Sequence, residues 1–557
     1  MSVKLRKESD RKTLLWIYGK TKKRLWYIAV LAVANIVIAA LATVFALQCR
    51  SVIDSAVAGN FQGLVYSGII LGVISLVQYS LKILIDSVYE VVSVRVSMDL
   101  RQDIIGNLMK KDFSQTSKYH SGEKLNRIFS DVTVVTDGVV GILPSLLNMV
   151  TRLVCAAAVL IILDVTFALV FLVSGILLFI VTRMFRGKLK SLHKEVQQKE
   201  GKMRSYMQET VENILLIKLF GVRKKSEKRT AELQQEHFKA RMKRRSFTIG
   251  ANAGIGLVFR IGYLYALIRG AFAIMDRTMS YGTLSAILQL VGQLQAPFAN
   301  LSGFLPRMYS AIASAERIIE IENLPEEKEP EKKLSYKNFD RLEIKNLSFS
   351  YGENHVLNDV SFTLNKKDFL SLTGISGGGK TTLFNLIMGA YKTDKDEIIF
   401  YDTKGNSYTP TEARGIIGYV PQGNSLFSGT VFENIGFMKE KPTMEEIENA
   451  AKIACAHEFI KDFPMGYDTM LGENGFGISQ GQAQRIAVAR AVLSGTGVLL
   501  FDEATSALDE MTQVRMLENL SKLRDKTVII VTHRKAALAI CNRHLNMENG
   551  EIYEKES

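Results

Sequence analysis

Residues 25–49, LWYIAVLAVANIVIAALATVFALQC, contain no charged side chain, and neither do residues 55–81. About 20 apolar residues in helical conformation cross a bilayer, so each run is long enough to span one. Similar runs occupy about 138–163, 165–182, 246–275 and 278–305, the last two diluted by arginine or by many polar residues. The pattern predicts six membrane-crossing helices. About 55 residues separate the second run from the third and about 60 separate the fourth from the fifth, and both stretches read as polar helices. The third and fourth runs are joined almost directly. Short connections on one side and long helical excursions on the other describe an all-α membrane domain, residues 1–322, whose helices continue well past the bilayer.

The pattern changes after NLPEEKEPEKKLSY, residues 323–336, a charged stretch with two prolines. It marks a linker over 323–340. Beyond it LEIKNLSFSY, FLSLTG, GVLLFDEA and TVIIVTH are short, apolar or β-branched runs with helical stretches between them. Such alternation predicts an α/β domain with a mostly parallel sheet over 341–557. The fold class is therefore multidomain: six transmembrane helices with long extensions beyond the bilayer, then an α/β domain with a mostly parallel sheet.

Composition adds direction. The formal net charge is +14, which fits a nucleic-acid binder or a membrane protein with basic cytoplasmic loops. Residues 1–24 hold nine Lys or Arg against two acids, and 183–204 hold eight against two. The short opposite loops offer Arg50, Asp54, Asp164, Asp276 and Arg277. The positive-inside rule then puts both termini in the cytoplasm of what is expected to be a bacterial plasma membrane protein. The basic charge belongs to the membrane surface, and no nucleic-acid partner is expected. The first run is too long, and lacks the small-residue site, for a cleaved signal peptide. Cys49, Cys155, Cys455 and Cys541 are scattered and suggest neither a metal site nor a disulfide framework.

The chemistry sits in the second domain. GISGGGKTT, residues 374–382, follows an apolar strand and opens a helix, the context a phosphate-binding loop requires. Its glycines, Gly374, Gly377, Gly378 and Gly379, and Ser376 let backbone amides turn towards phosphate oxygens. Lys380 is the candidate for the β- and γ-phosphates, Thr381 for Mg2+, and Thr382 extends the loop. In VLLFDEATSALD, residues 498–509, Asp502 at the end of a buried strand is a second Mg2+ candidate, and Glu503 is the candidate to orient or deprotonate water.

With these motifs in place the chain resembles an ATP-binding cassette (ABC) transporter of the exporter type over nearly its whole length. The resemblance implies a half-transporter that dimerises with an identical or a different half, in a lipid bilayer, using ATP and Mg2+. It implies further roles one residue at a time: Tyr351 stacking on adenine, Gln422 in YVPQGNSLFSG as the Q-loop glutamine and a Mg2+ contact, Asp509 closing a D-loop, and His533 as the switch histidine. Glu473 in TMLGENG resembles the exporter-specific loop, and segments 120–132 and 208–221 resemble those around the two coupling helices. ISQGQ, residues 478–482, stands where the family has Leu-Ser-Gly-Gly-Gln. Ser479, Gly481 and Gln482 would then hold the γ-phosphate of the partner's ATP, while Gln480 departs from the pattern. Catalysis would fall to Glu503, His533 and Lys380.

In the membrane half, Arg152, Arg260 and Arg269 lie inside predicted spans, where charge usually faces a cavity or a partner. Gln289, Gln293 and Asn300 fall near one face of the last span. These six are the candidate path for a cargo the sequence does not name. Export is the expected direction; an importer on the same fold and a regulatory or ATP-gated subunit are the alternatives.

Overall fold

The computed structural model describes residues 3–555 apart from Ser376, Asn424 and residues 394–396, 473–474, 476 and 524. Within helices and strands it describes every side chain but those of 3–10, 171–174, 176–184, 186, 190, 255, 295–303, 305 and 555. The chain divides into two compact units, residues 1–109 with 120–323, and residues 110–119 with 324–557. A short excursion, 110–119, groups with the second unit, and so do residues 324–340 of the expected linker.

The first unit is helical. Its elements are α1 (Val3–Thr21), α2 (Leu25–Val57), α3 (Phe61–Met109), α5 (Ser121–Asn126), α6 (Val132–Leu163), α7 (Val165–Glu212), α8 (Ile214–Leu219), α9 (Arg223–Met275) and α10 (Tyr281–Glu322); α4 (Phe113–Thr116) lies in the excursion. Among the described residues, four helical stretches are long and apolar enough to cross a membrane: Arg11–Val57, Phe61–Met109, Ser121–Leu163 and Arg223–Met275. Parts of the fourth and sixth expected spans lie outside the described side chains. The apolar runs keep much of their surface outward, with Trp26, Ile69 and Leu76 all exposed. That suits a surface solvated by lipid rather than water, because helices satisfy their own backbone groups there.

Local chemistry sets the helix ends. The second expected span begins at Phe61, not at 55. Residues 55–57 complete α2, Gly59 takes φ +68°, and the Asn60 carboxamide accepts from the Gly63 amide at 2.9 Å. Between α6 and α7 only Asp164 intervenes, its carboxylate accepting from the amides of Thr166 and Phe167 at 2.8 and 3.3 Å. This N-cap makes so abrupt a reversal possible. The sixth run starts at Tyr281 rather than 278, because Ser280 caps α10 through the Thr283 amide and Asp54 accepts from Ser280 Oγ and the Gly282 amide. In the first long excursion the helical break falls at 110–120, just ahead of the 120–132 segment, and α8 falls inside 208–221.

The second unit holds two larger sheets. An antiparallel sheet has the order β2-β1-β4-β5, with β1 Phe339–Tyr351, β2 Asn354–Asn365, β4 Ile398–Asp402 and β5 Ser407–Tyr408. The other has the order β12-β11-β3-β10-β9-β6, with β3 Phe369–Gly374, β6 Ile417–Val420, β9 Val498–Asp502, β10 Thr527–Val531, β11 Arg543–Glu548 and β12 Glu551–Lys555. All its neighbouring strands are parallel except β12, which pairs antiparallel with β11. A small pair joins β7 (Gly429–Thr430) and β8 (Met470–Leu471). Every residue of β9 and β10 is buried, which explains their unbroken apolar runs. The helices are α11 (Lys380–Ile387), α12 (Pro410–Ala413), α13 (Val431–Gly436), α14 (Met444–Ile453), α15 (His457–Lys461), α16 (Gln480–Leu493), α17 (Glu510–Ser521) and α18 (Lys535–Leu538). Because β3, β9 and β10 run parallel side by side, the loops after them emerge at one edge of the sheet. Ligands in open α/β sheets bind at such an edge.

Candidate nucleotide site

The loop between β3 and α11 is built for close approach. Gly374, Gly377 and Gly379 take φ of +137°, +80° and +100°, which side-chain-bearing residues rarely adopt. A Cβ on Gly374 would fall on the Met547 carbonyl, and one on Gly379 would lie 2.8 Å from Leu357 Cδ2. Gly378 and Thr382 complete the loop and the first turn of α11; Ser376 lies outside the described residues. Lys380 is buried and donates to the carbonyls of Gly374 and Ile375 at 2.6 and 2.7 Å. Burial pushes its ammonium below the usual lysine range, against the opposing pull of Glu503 and Asp502.

At the end of β9, Asp502 meets α11. Thr381 Oγ1 donates to its carboxylate at 2.7 Å, and the Tyr419 hydroxyl donates to the same oxygen at 3.4 Å. Burial raises the Asp502 pKa, and these two hydrogen bonds work against the rise. Burial raises Tyr419 as well, helped by the negative carboxylate. A hydroxyl and a carboxylate in contact are hard oxygen donors of the kind Mg2+ takes alongside phosphate oxygens.

Glu503 follows with φ +48°, in the left-handed region although it is not glycine. Gln422 Nε2 donates to its carboxylate at 2.7 Å. The glutamine expected near Mg2+ therefore spends its amide on the carboxylate expected to handle water. His533 follows β10 and is exposed, and Tyr351 is 40% exposed with its ring edge-on to Tyr391 at 5.3 Å. Asp509 caps α17, accepting from the Thr512 amide at 2.9 Å, and this backbone bond leads the causes that lower its pKa.

Ser479 is the N-cap of α16. Its hydroxyl oxygen accepts from the Gln482 amide at 3.2 Å, while the Gln482 side chain accepts from the Ser479 amide at 2.9 Å. The capping box leaves the Ser479 O–H proton to donate outward at a helix N-terminus, a favourable place for an anion. Gln480 opens α16 with a right-handed φ and an exposed side chain. Gly481 approaches the loop after β9 so closely that a Cβ would lie 2.8 Å from the Ala507 carbonyl. Glu473 falls outside the described residues.

The membrane residues are not gathered in the same way. Gln293 donates to the Ala42 carbonyl at 2.8 Å, and Thr43 lies 3.5 Å from its side-chain oxygen. Arg269 lies 4.0 Å from Asp164 and over the Phe167 ring at 5.5 Å, lining a groove with Tyr265, Phe272 and Asp276. Arg152 has a buried Nε with no hydrogen-bond partner among the described residues, Arg260 is exposed, and Gln289 is half-buried. The Asn300 side chain lies outside the described residues.

Comparison with known proteins gives the family. The ABC transporter transmembrane region matches residues 26–298, and the ABC transporter family matches 357–506. The ABC transporter ATP-binding protein YfiC of Bacillus subtilis (strain 168), itself uncharacterized, is 30% identical over 82% of this chain and 76% of its own. The chain belongs to the ABC transporters. The ATP-dependent lipid A-core flippase of Syntrophus aciditrophicus (strain SB) is 28% identical over 83% of this chain and 77% of its own. A bacterial Atm1-family ABC exporter, solved with ATP bound, superposes with a TM-score of 0.79 over 95% of each chain at 21% identity, a likeness of fold. This ABC transporter is thus a membrane protein that couples ATP hydrolysis to transport.

Some residues of the site gave no signal in the sequence. Tyr419 stands in the Q-loop segment with no assigned role, yet it meets Asp502. Gln484 and Arg534, which grip the loop after Glu503, were not singled out either.

Proposed function

We infer that the chain is one half of an ATP-driven exporter that works as a dimer, with both termini in the cytoplasm and six spans in the bilayer. The observation that carries the catalytic part is the pairing of Thr381 with Asp502 next to Gln422 with Glu503, all on one sheet edge. Lys380 would exchange its two loop carbonyls for the β- and γ-phosphates. Mg2+ at Thr381 and Asp502 would neutralise charge on the phosphate oxygens. Glu503, released from Gln422, would orient water, with His533 on the γ-phosphate. Ser479 and Gly481 would act on the partner's ATP, with Asp509 beside them, so that the intact sites need two chains. Relatives that include a lipid A-core flippase, and the likeness to an exporter, support the outward direction. The cargo is a small molecule or lipid of unassigned identity.

Two measurements test this reading. Glu503→Gln in the full chain should bind MgATP as wild type while turnover falls by about 10²–10⁴-fold. It should also shift the singly expressed protein to dimer mass when MgATP is added. Steady-state hydrolysis at the wild-type rate would remove Glu503 from the mechanism, and a monomer with MgATP would remove the identical-chain dimer.

A further inference from the structure

The loop that follows β9 carries Glu503 at one end and Asp509 at the other, and it is held from two sides. On one side stands Gln484, one turn into α16 and 1% exposed. Its amide nitrogen donates to the Ser506 hydroxyl at 3.3 Å and reaches the Glu503 carbonyl at 3.5 Å, and its oxygen accepts from the Ala507 amide at 3.2 Å. On the other side stands Arg534, the residue after His533. Its guanidinium donates to the carbonyls of Ser506 and Leu508 at 2.8 and 3.1 Å, and to Gln513 Oε1 at 3.1 Å. Gln513, also 1% exposed, donates in turn to Thr505 Oγ1 at 3.2 Å.

A fully buried carboxamide whose donors and acceptor all point at one loop does more than fill space. Apolar packing would fill the same volume, and burying a polar group is favourable only when its partners are fixed. What the partners fix is unusual. Glu503 occupies the left-handed region, a conformation a side-chain-bearing residue keeps only when its surroundings impose it. The Glu503 carbonyl is tied to the Ser506 amide at 3.1 Å and to Gln484, so the peptide that leaves the left-handed Glu503 is held in place. The same α16 begins at Ser479, and Gly481 touches Ala507. Arg534 attaches the loop to the segment that carries His533.

We propose that Gln484 is a positioning residue for Glu503, holding the strained turn that aims its carboxylate, and that Arg534 fastens the same turn to the switch-histidine segment. The proposal rests on the reading of Glu503 as the residue that orients water. Neither side chain touches nucleotide in this account; both act through Glu503. One chain's Glu503 and Ser479, which serve different ATP molecules, are thereby set in a fixed relation by α16.

A double-mutant cycle tests this in the purified full chain. Gln484→Met keeps the volume and removes the three polar contacts. Its kcat should fall about 10-fold or more, with the KM for MgATP within about 2-fold of wild type, the signature of a lost transition-state interaction. In the Glu503→Gln background the same change should lower the residual rate by less than about 2-fold, because the group it positions is already gone. Loss of folded protein would instead lower both backgrounds by the same factor. Equal factors in the two backgrounds with the folded fraction unchanged, or wild-type kcat in Gln484→Met, would overturn the proposal while leaving an inactive Glu503→Gln to support the catalytic reading. Wild-type hydrolysis by Glu503→Gln alone would overturn that reading first. Where Gln484→Met gives no folded protein, Arg534→Lys enters the same cycle: it keeps the charge, loses the two-pronged grip, and should show the same dependence on Glu503.

Discussion

Gln480 and its neighbour Gly481 make opposite predictions. The resembling signature has glycine at both positions, so by pattern Gln480 is the anomaly. The backbone argues otherwise. Position 480 is the first residue of α16, its φ is right-handed and its side chain is exposed, so nothing there requires glycine. Restoring the glycine removes helix-favouring bulk and costs about 0.5–1 kcal/mol at most. Position 481 is different: a Cβ would stand 2.8 Å from the Ala507 carbonyl and 3.4 Å from Leu508 Cδ2. A carbonyl in the clamped loop cannot retreat as a side-chain tip can. Gly481→Ala should therefore cost about 1–3 kcal/mol of overpacking, offset by at most about 1 kcal/mol of helix propensity. With the full offset the net is about 0–2 kcal/mol, which lowers Tm by up to about 8 °C in a unit of this size. It also pushes Ala507, and with it the turn at Glu503, so kcat should fall further than stability alone explains. Thermal unfolding and steady-state ATPase of both variants in the full chain decide the matter. Gln480→Gly should stay within about 2-fold of wild-type kcat, since about 0.5–1 kcal/mol of ground-state stability leaves the folded fraction nearly unchanged. A wild-type Gly481→Ala beside a crippled Gln480→Gly would refute the argument from backbone geometry and make Gln480 itself a nucleotide contact.

Three other outcomes follow from particular contacts. Tyr419→Phe removes a hydrogen bond to the charged form of Asp502, whose pKa burial already raises, so the pKa should rise further and the acid limb of the kcat/KM profile should move to higher pH; an unmoved limb, or one at lower pH, would contradict it. Stability carries the same sign: a carboxyl raised above its unfolded value favours the fold below that value and loses the contribution as pH climbs through the folded pKa. Gly497→Ala would drive a Cβ into the Tyr336 ring, whose hydroxyl is pinned to the Asp525 carbonyl at 2.7 Å, and should cost about 1–3 kcal/mol, seen as a lower Tm with an unchanged KM for ATP; an unchanged Tm would show that the ring moves freely. For orientation, a single cysteine at Gly59 in a background without native cysteines should react with an impermeant thiol reagent in intact cells, whereas one at Lys190 should not; the reverse pattern would overturn the assignment of both termini to the cytoplasm.

How far the sequence could be read depended on how local each cause was. Apolar runs without charge announced α2 and α3, because excluding charge over that length serves few purposes outside a bilayer. Their ends were read less well: residues 55–57 are apolar enough to pass for a second span, but the turn at Gly59 and the Asn60 cap assign them to the first helix. The phosphate loop and the strand ending at Asp502 were legible because strand, glycines and helix follow one another in the chain. The joining of Thr381 to Asp502 could be expected from those motifs, but that of Gln422 to Glu503 could not, since it depends on which way a surface amide turns.

The grip on Glu503 was illegible for a deeper reason. In AQRIAVARA a glutamine between alanine and arginine reads as the wet face of a helix, and an arginine after a histidine reads as one more surface charge. Only the folded chain brings the loop after β9 down on α16, and only then is Gln484 buried with each polar group satisfied by that loop. Polarity in a sequence predicts solvent until tertiary structure supplies another partner. The residues that bind phosphate announce themselves by type and spacing, because backbone and charge must be supplied in a fixed order along the chain. Those that aim the carboxylate have no such constraint: any element passing close enough can contribute the amide. Positioning residues are therefore found from the strained backbone outward, starting at the φ of Glu503 and asking which buried polar side chains hold it there.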